Sequence, residues 1–129
     1  KTAQRAILAL LLNHRHHSPM IRDDVNAICH AFRGATAADT ATELDSWKVG
    51  GKMFACFGNP DATRVAVKTD SAETAMMLID AGAATKAPYF HRSWVSVGFD
   101  ADLSELTHRI ATSYTIIHNA LPKRVRDAL

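Results

Sequence analysis

At 129 residues the chain is one domain's worth, long enough to bury a core without metals or disulfides. Hydrophobic residues make up 47% and charged residues 22%, a globular composition, and nothing approaches the roughly 20 apolar residues that a membrane-crossing helix needs. The net charge of +2 is only mildly basic, well short of the footprint that a dedicated nucleic-acid binder usually carries.

Ala6 to Leu12 is a short apolar run, followed by Asn13-His14-Arg15-His16-His17. Basic residues before an apolar run have the outline of a signal peptide, but no small-residue cleavage pattern follows. Residues 1–19 are read as an extension, and residues 20–129 as a single domain that folds without it. The histidines lack the carboxylate or cysteine that would complete a ligand set, so they read as a solvated segment rather than a metal site.

Ser18-Pro19 punctuates, and a helix is predicted from near Arg22. Val25, Ile28, Cys29 and Phe32 fall at i, i+3, i+4 and i+7, Asp23 and Asp24 suit its N-terminal end, and Gly34 stops it. Ala35 to Asp45 is an alanine- and threonine-rich run. Gly50-Gly51 then marks a type I′ hairpin turn, because two glycines accept the positive φ angles it demands. Strict alternation around that turn sets Trp47 opposite Phe54. It places Trp47, Val49, Phe54 and Cys56 on a core face, and Lys48, Met53, Ala55 and Phe57 on the other. Cys29 and Cys56 read as buried thiols of a reducing, cytoplasmic compartment.

Gly58-Asn59-Pro60-Asp61 is a turn, and Arg64 to Lys68 alternates as a strand with Val65 and Val67 inward. Asp70 is expected to cap a second helix with Glu73 three residues on, burying Ala72, Ala75, Met76 and Ile79 and ending at Gly82. Its methionines are read as gap-filling core. Residues 83–93 form a loop or irregular wing, and Trp94 to Phe99 a strand with Val95, Val97 and Phe99 inward. A last helix opens at Asp102 or Ser104. It repeats Leu103, Leu106, Ile110, Tyr114, Ile117 and Leu121 at spacings of 3 or 4, ends near Pro122, and leaves a basic tail. Few antiparallel strands with helices before, between and after them predict an α+β fold, helices packed on one face of the sheet.

The hairpin Trp47-Lys48-Val49-Gly50-Gly51-Lys52-Met53-Phe54-Ala55 resembles the lysine–methionine–phenylalanine hairpin of the MmcQ/YjbR family of small bacterial proteins. Lys68, Tyr89-Phe90-His91, Trp94, Ser113-Tyr114 and Leu121-Pro122-Lys123-Arg124 follow in the family's order, so the resemblance spans Met20 to Leu129. One departure is the Ala35–Asp45 run, where the family usually has a Gly/Pro-rich approach. The resemblance implies a frataxin-like two-layer architecture and DNA binding through a double wing of hairpins.

Candidate contacts follow. The solvent face of the sheet is expected to carry Lys48, Arg64, Lys68 and Trp94, cations for phosphates and an aromatic for an unpaired base. Lys52 lies on the first wing hairpin. Lys86, His91 and Arg92, in a segment without acidic residues, have the composition of a wing tip resting on a phosphate backbone. No glycine-rich phosphate loop, nucleophile elbow or cysteine–histidine pair points to an enzyme, and no cofactor is implied. A protein-interaction module docking through the Trp94 face is the alternative. A metal-binding, frataxin-like role is disfavoured, because only Asp23 and Asp24 stand where a ridge of carboxylates would be needed.

Overall fold

Val25, Ile28 and Cys29 recur on one side of a helix, α1 (Arg22–His30), and all three are fully buried, as their spacing predicts. The computed structural model describes residues 19–129, together with Arg5; the expectations for the apolar run, the histidines and the extension lie outside the described residues. The backbone N–H of Ile21 donates to the Asp24 carboxylate at 3.0 Å, closing the start of α1.

Six antiparallel strands follow: β1 (Ala35–Ala37), β2 (Asp45–Val49), β3 (Lys52–Gly58), β4 (Arg64–Lys68), β5 (Thr85–Lys86) and β6 (Trp94–Gly98). They form one sheet in the order β1-β2-β3-β4-β6-β5. The alanine/threonine run thus begins as a short edge strand. α2 (Ala72–Asp80) lies between β4 and β5, while α3 (Leu103–Asn119) and the short α4 (Lys123–Asp127) close the chain. α1 and α3 cover one face, where Val49, Val65, Val67, Val95 and Val97 meet Ile28, Leu106 and Ile110 in one core. The fold is α+β, as expected.

The hairpin turn is as expected, Gly50 at φ 56° and Gly51 at φ 82°. Val49 pairs with Lys52 and Lys48 with Met53, but Trp47 then pairs with Ala55, Ser46 with Cys56, and Asp45 with Gly58. The expected Trp47–Phe54 pair therefore does not form. Phe54 and Phe57 are extra residues in two β-bulges, which change the side that later residues face. Both rings enter the core: Phe54 meets Tyr114 edge-on at 5.3 Å, and Phe57 meets Phe99 at 6.1 Å. Ala55 also turns inward. Cys56, expected in the core, instead lies opposite Ala66 on the open face, the one that α1 and α3 leave uncovered.

Two polar bridges tie the layers together. The register of Cys56 with Ala66 would set the Phe54 carbonyl against the Lys68 N–H. Instead the Ser113 hydroxyl from α3 donates to Phe54 O at 2.7 Å and accepts from Lys68 N at 2.9 Å. Ser113 is completely buried. At the other side, Arg22 of α1 makes two hydrogen bonds to Asp45, of 2.9 and 2.6 Å, and covers the Phe57 ring at 3.4 Å. Asn26 accepts from the Trp47 indole at 3.0 Å.

α2 departs from its expected form. Ser71, one residue after Asp70, is its N-cap, accepting from the Thr74 N–H at 3.0 Å from an extended backbone. Ala75 is buried, but Met76 and Met77 are 56% and 69% exposed rather than core. The helix packs chiefly against β6 and the two-residue β5, a surface too narrow to cover a wider stripe. Gly82, at φ 77°, follows its last turn as expected.

Three outcomes are expected in solution. A Cβ on Gly50 would stand 2.6 Å from Leu121 Cδ1, whereas none meets Gly51. Both substitutions carry the positive-φ cost of roughly 1–2 kcal/mol, but Gly50→Ala must also displace Leu121. It should lower stability in urea unfolding more than Gly51→Ala; equal losses would contradict the packing. Ser113→Ala strands a carbonyl and an N–H and should cost roughly 1–3 kcal/mol, read as a shifted unfolding midpoint. The hydrogen bonds from Arg22 hold the Asp45 carboxyl below its ordinary value, with burial opposing them. Its contribution is therefore full above the unfolded value of about 3.9 and fades as pH falls through the lower folded value. Acid titration of stability should be steeper there for the native chain than for Asp45→Asn.

Candidate nucleic-acid interface

β4 carries Arg64 and Lys68 on the open face, at opposite ends and about 13 Å apart along the strand. β6 pairs Gly98 with Arg64, Ser96 with Ala66 and Trp94 with Lys68, so Trp94 and Lys68 stand side by side. The Arg64 guanidinium lies across β6. Its Nε donates to Ser96 Oγ at 2.9 Å, and its Nη2 to Ser96 O at 2.9 Å and Thr85 Oγ1 at 3.0 Å. All three acceptors are neutral, so the positive charge stays uncompensated by them. Asp100 Oδ1 and Arg64 Nη1 both border the space that a Cβ on Gly98 would fill, so a carboxylate stands beside the guanidinium, though beyond ion-pair distance.

Lys68 organises the loop before β6. Its Nζ donates to Ser93 Oγ at 2.7 Å, and Ser93 Oγ lies 2.8 Å from His91 Nδ1. The Ser93 N–H also donates to that Nδ1, at 3.1 Å, which makes it the acceptor and places the ring proton on Nε2. The Ser93 hydroxyl accordingly accepts from Lys68 and donates to His91. Thr69 Oγ1 donates to the Ser93 carbonyl at 2.7 Å and fixes the same turn to β4. Ser93 is buried, and nothing in its sequence surroundings marks it.

Trp94 is half-buried, its ring 4.8 Å from that of Phe90 at a 31° tilt. With Met76 and Ile79 of α2 it lines a cavity of about 220 Å³ that Lys86, His91 and Arg92 also border. Lys86 pairs with Val95, so it belongs to the helix side at the β5 edge rather than to the open face. Phe90 separates this cavity from a groove of about 530 Å³ on the open face, floored by Cys56, Ala66 and Ser96 and walled by Pro88 and Tyr89.

The structure thus brings Arg64, Lys68, Lys86, His91, Arg92 and Trp94 to the β4–β6–β5 half of the sheet. It does not bring the hairpin cations there. Lys48 is on the open face, but Glu43 holds it at 2.7 and 3.0 Å. Lys52 is the partner of Val49, which faces the helices, so it projects from the other side of the turn. Among the described residues, Arg22, Lys48, Arg109 and Lys123 are in ion pairs, while Arg64, Lys68, Lys86 and Arg92 have no carboxylate within 4.0 Å.

Other chemistries find little purchase. Burial raises the thiols of Cys29 and Cys56 above their ordinary values, most strongly for the fully enclosed Cys29, which disfavours the reactive thiolate. Among the described residues no three histidine, cysteine or carboxylate side chains gather to hold a metal ion. None of the described helices is long and apolar enough to cross a membrane.

No curated protein matches the chain. Among solved structures, it is similar to the crystal structure of Deinococcus radiodurans protein DR2400, which carries a DUF419 domain. The TM-score is 0.72 at 21% identity, covering 88% of this chain and 91% of that one. At such identity the likeness speaks for the fold. The family model described as YjbR matches residues 30–116, a span that takes in the bulged hairpin, β4, the loop tied to Lys68 and the buried Ser113. The chain belongs to the YjbR family.

Proposed function

We propose that this is a non-enzymatic DNA-binding protein whose phosphate contacts are made by the β4–β6–β5 half of the sheet. The observation that carries the reading is the sorting of its cations. Arg22, Lys48, Arg109 and Lys123 are held by carboxylates, whereas Arg64, Lys68, Lys86 and Arg92 are not and share one half of the sheet; Arg33, Lys52, Arg124 and Arg126 are also outside these ion pairs but lie elsewhere in the fold. A cation already held by a carboxylate has little to offer a phosphate; one held by hydroxyls keeps its field and its orientation. Arg64 and Lys68 are moreover fixed in place by Ser96, Thr85 and Ser93, so they lose less freedom on binding. The family resemblance to double-wing proteins supports the same assignment, with the second wing, β5–β6 and its loop, as the contacting one.

Asn59 borders the open-face groove, but its Oδ1 already accepts from the Asp61 N–H at 2.9 Å, so recognition is of the backbone and largely independent of sequence. Dissociation constants of roughly 10⁻⁴–10⁻⁶ M at physiological salt are expected. A second reading, docking of a protein partner beside Trp94, is favoured by one observation, the exposure of Met76 next to that ring.

Fluorescence anisotropy with labelled DNA across a salt series tests the reading. Each of Arg64→Ala, Lys68→Ala and Arg92→Ala should weaken binding alike for all sequences and flatten the salt slope by about one unit. Lys48→Ala and Lys52→Ala should leave the slope nearly unchanged. Folded native protein that binds no DNA even at low salt would reject the reading, and equal slopes for all five variants would move the contact off this half of the sheet.

A further inference from the structure

Tyr89 has two properties that rarely coincide. Its backbone sits at φ 72°, the left-handed region that a bulky side chain seldom enters, and its side chain is 106% exposed. A tyrosine held there buries nothing in return for the strain. Strain of this kind persists where the surrounding structure imposes it, and it gathers at binding sites. Phe90, the next residue, is wedged against Trp94 and anchors the loop from inside, and Pro88 stiffens it from the other side. The ring of Tyr89 is therefore presented to solvent by a loop with little freedom to withdraw it.

Beside the ring lies the groove of about 530 Å³. Its floor of Cys56 and Ala66 is apolar and flat, as the middle of an open sheet face must be, and Ser96 and Arg64 supply the polar groups. The Arg64 guanidinium crosses that floor with neutral partners only. An aromatic platform, an apolar floor and a guanidinium outside any ion pair together match a nucleotide with its base unstacked: a flat apolar body joined to an anion. A duplex hides its base faces in the stack and cannot use the platform. Asp61, in the turn before β4, borders the same groove, so the anion is placed by Arg64 at close range rather than by a positive field over the whole groove.

We infer that the groove between Tyr89 and Arg64 is a seat for an unpaired base of single-stranded DNA, with the base against Tyr89 and its phosphate toward Arg64. The inference rests on the DNA-binding reading and goes further, naming the form of DNA that the site prefers. It assigns to Tyr89 the stacking role that the sequence pattern suggested for Trp94, whose ring Phe90 already covers.

The test compares the full chain and its variants against labelled oligothymidylate, a duplex of equal length and free thymidine monophosphate, at one moderate salt concentration. Native protein should bind the single strand more tightly than the duplex. Tyr89→Ala should weaken single-strand binding roughly 5- to 150-fold and duplex binding less than about twofold, while Tyr89→Phe keeps the native preference. Tyr89→Gly, which suits the backbone angle, should lose single-strand binding without lowering the melting temperature; this separates binding from folding. Single strand and duplex bound equally, or weakened equally by Tyr89→Ala, would overturn this inference and leave general DNA binding standing. Binding of neither would overturn both. Thymidine monophosphate bound as tightly as the oligonucleotide would make the groove a free-nucleotide site and overturn its assignment to a strand.

Discussion

Between Phe54 and Lys68 the sheet lacks a direct ladder bond, and the hydroxyl of Ser113 stands in for it. A hydroxyl is the smallest group that can both accept from an N–H and donate to a carbonyl, so it joins the strands without adding an unpaired atom. Because Ser113 belongs to α3, the same atom sets the height of that helix over the sheet. Lys68 is therefore placed from two sides: its backbone by α3 beneath, and its ammonium by Ser93 and His91 above. The loop that follows, with Arg92 and Trp94, inherits its position from Lys68. A chain of short hydrogen bonds thus runs from the centre of the core to the cations of the open face.

A net charge of +2 is a poor guide to such a surface. The charge that a partner would meet is local, and four cations are already engaged by carboxylates. Arg22 is spent on Asp45 and the Phe57 ring, where it holds α1 to β2 and β3; Lys48 is spent on Glu43. Setting those pairs aside leaves Arg64, Lys68, Lys86 and Arg92 as cations of one half of the sheet outside any ion pair, a local feature that composition does not show.

α1, α3, β4 and β6 were legible in the sequence because single periodicities govern them. Val25, Ile28 and Cys29 mark α1 at helical spacing, Val65, Val67, Val95 and Val97 mark β4 and β6 at a spacing of two, and all are buried. β3 was not, because two bulges put its inward aromatics, Phe54 and Phe57, three apart, a spacing that belongs to neither template. Strict alternation then misassigned Cys56, Ala55 and Phe57. Met76 was misread for another reason: the pattern of α2 is genuinely apolar, but the surface it meets is narrow, a tertiary fact. In the site, Lys86, His91 and Arg92 stood out as a run without acid, and Arg64, Lys68 and Trp94 by strand parity. The loss of Lys48 to Glu43 could not be read, since Ala35 to Asp45 carries no pattern. The conformation of Tyr89 and the role of Ser93 depend on where the loop is tied down.

The two ends of the sheet share a trait. β1 spans three residues and β5 two, and each flanks a longer strand. A long exposed edge offers unpaired N–H and C=O groups to any other extended chain, and so invites sheet-to-sheet growth. Here the unpaired rows are too short to template a neighbour, and β5 bears Lys86, whose charge repels a like copy. Copies of such a sheet can thus be crowded together without their strands pairing edge to edge into aggregates.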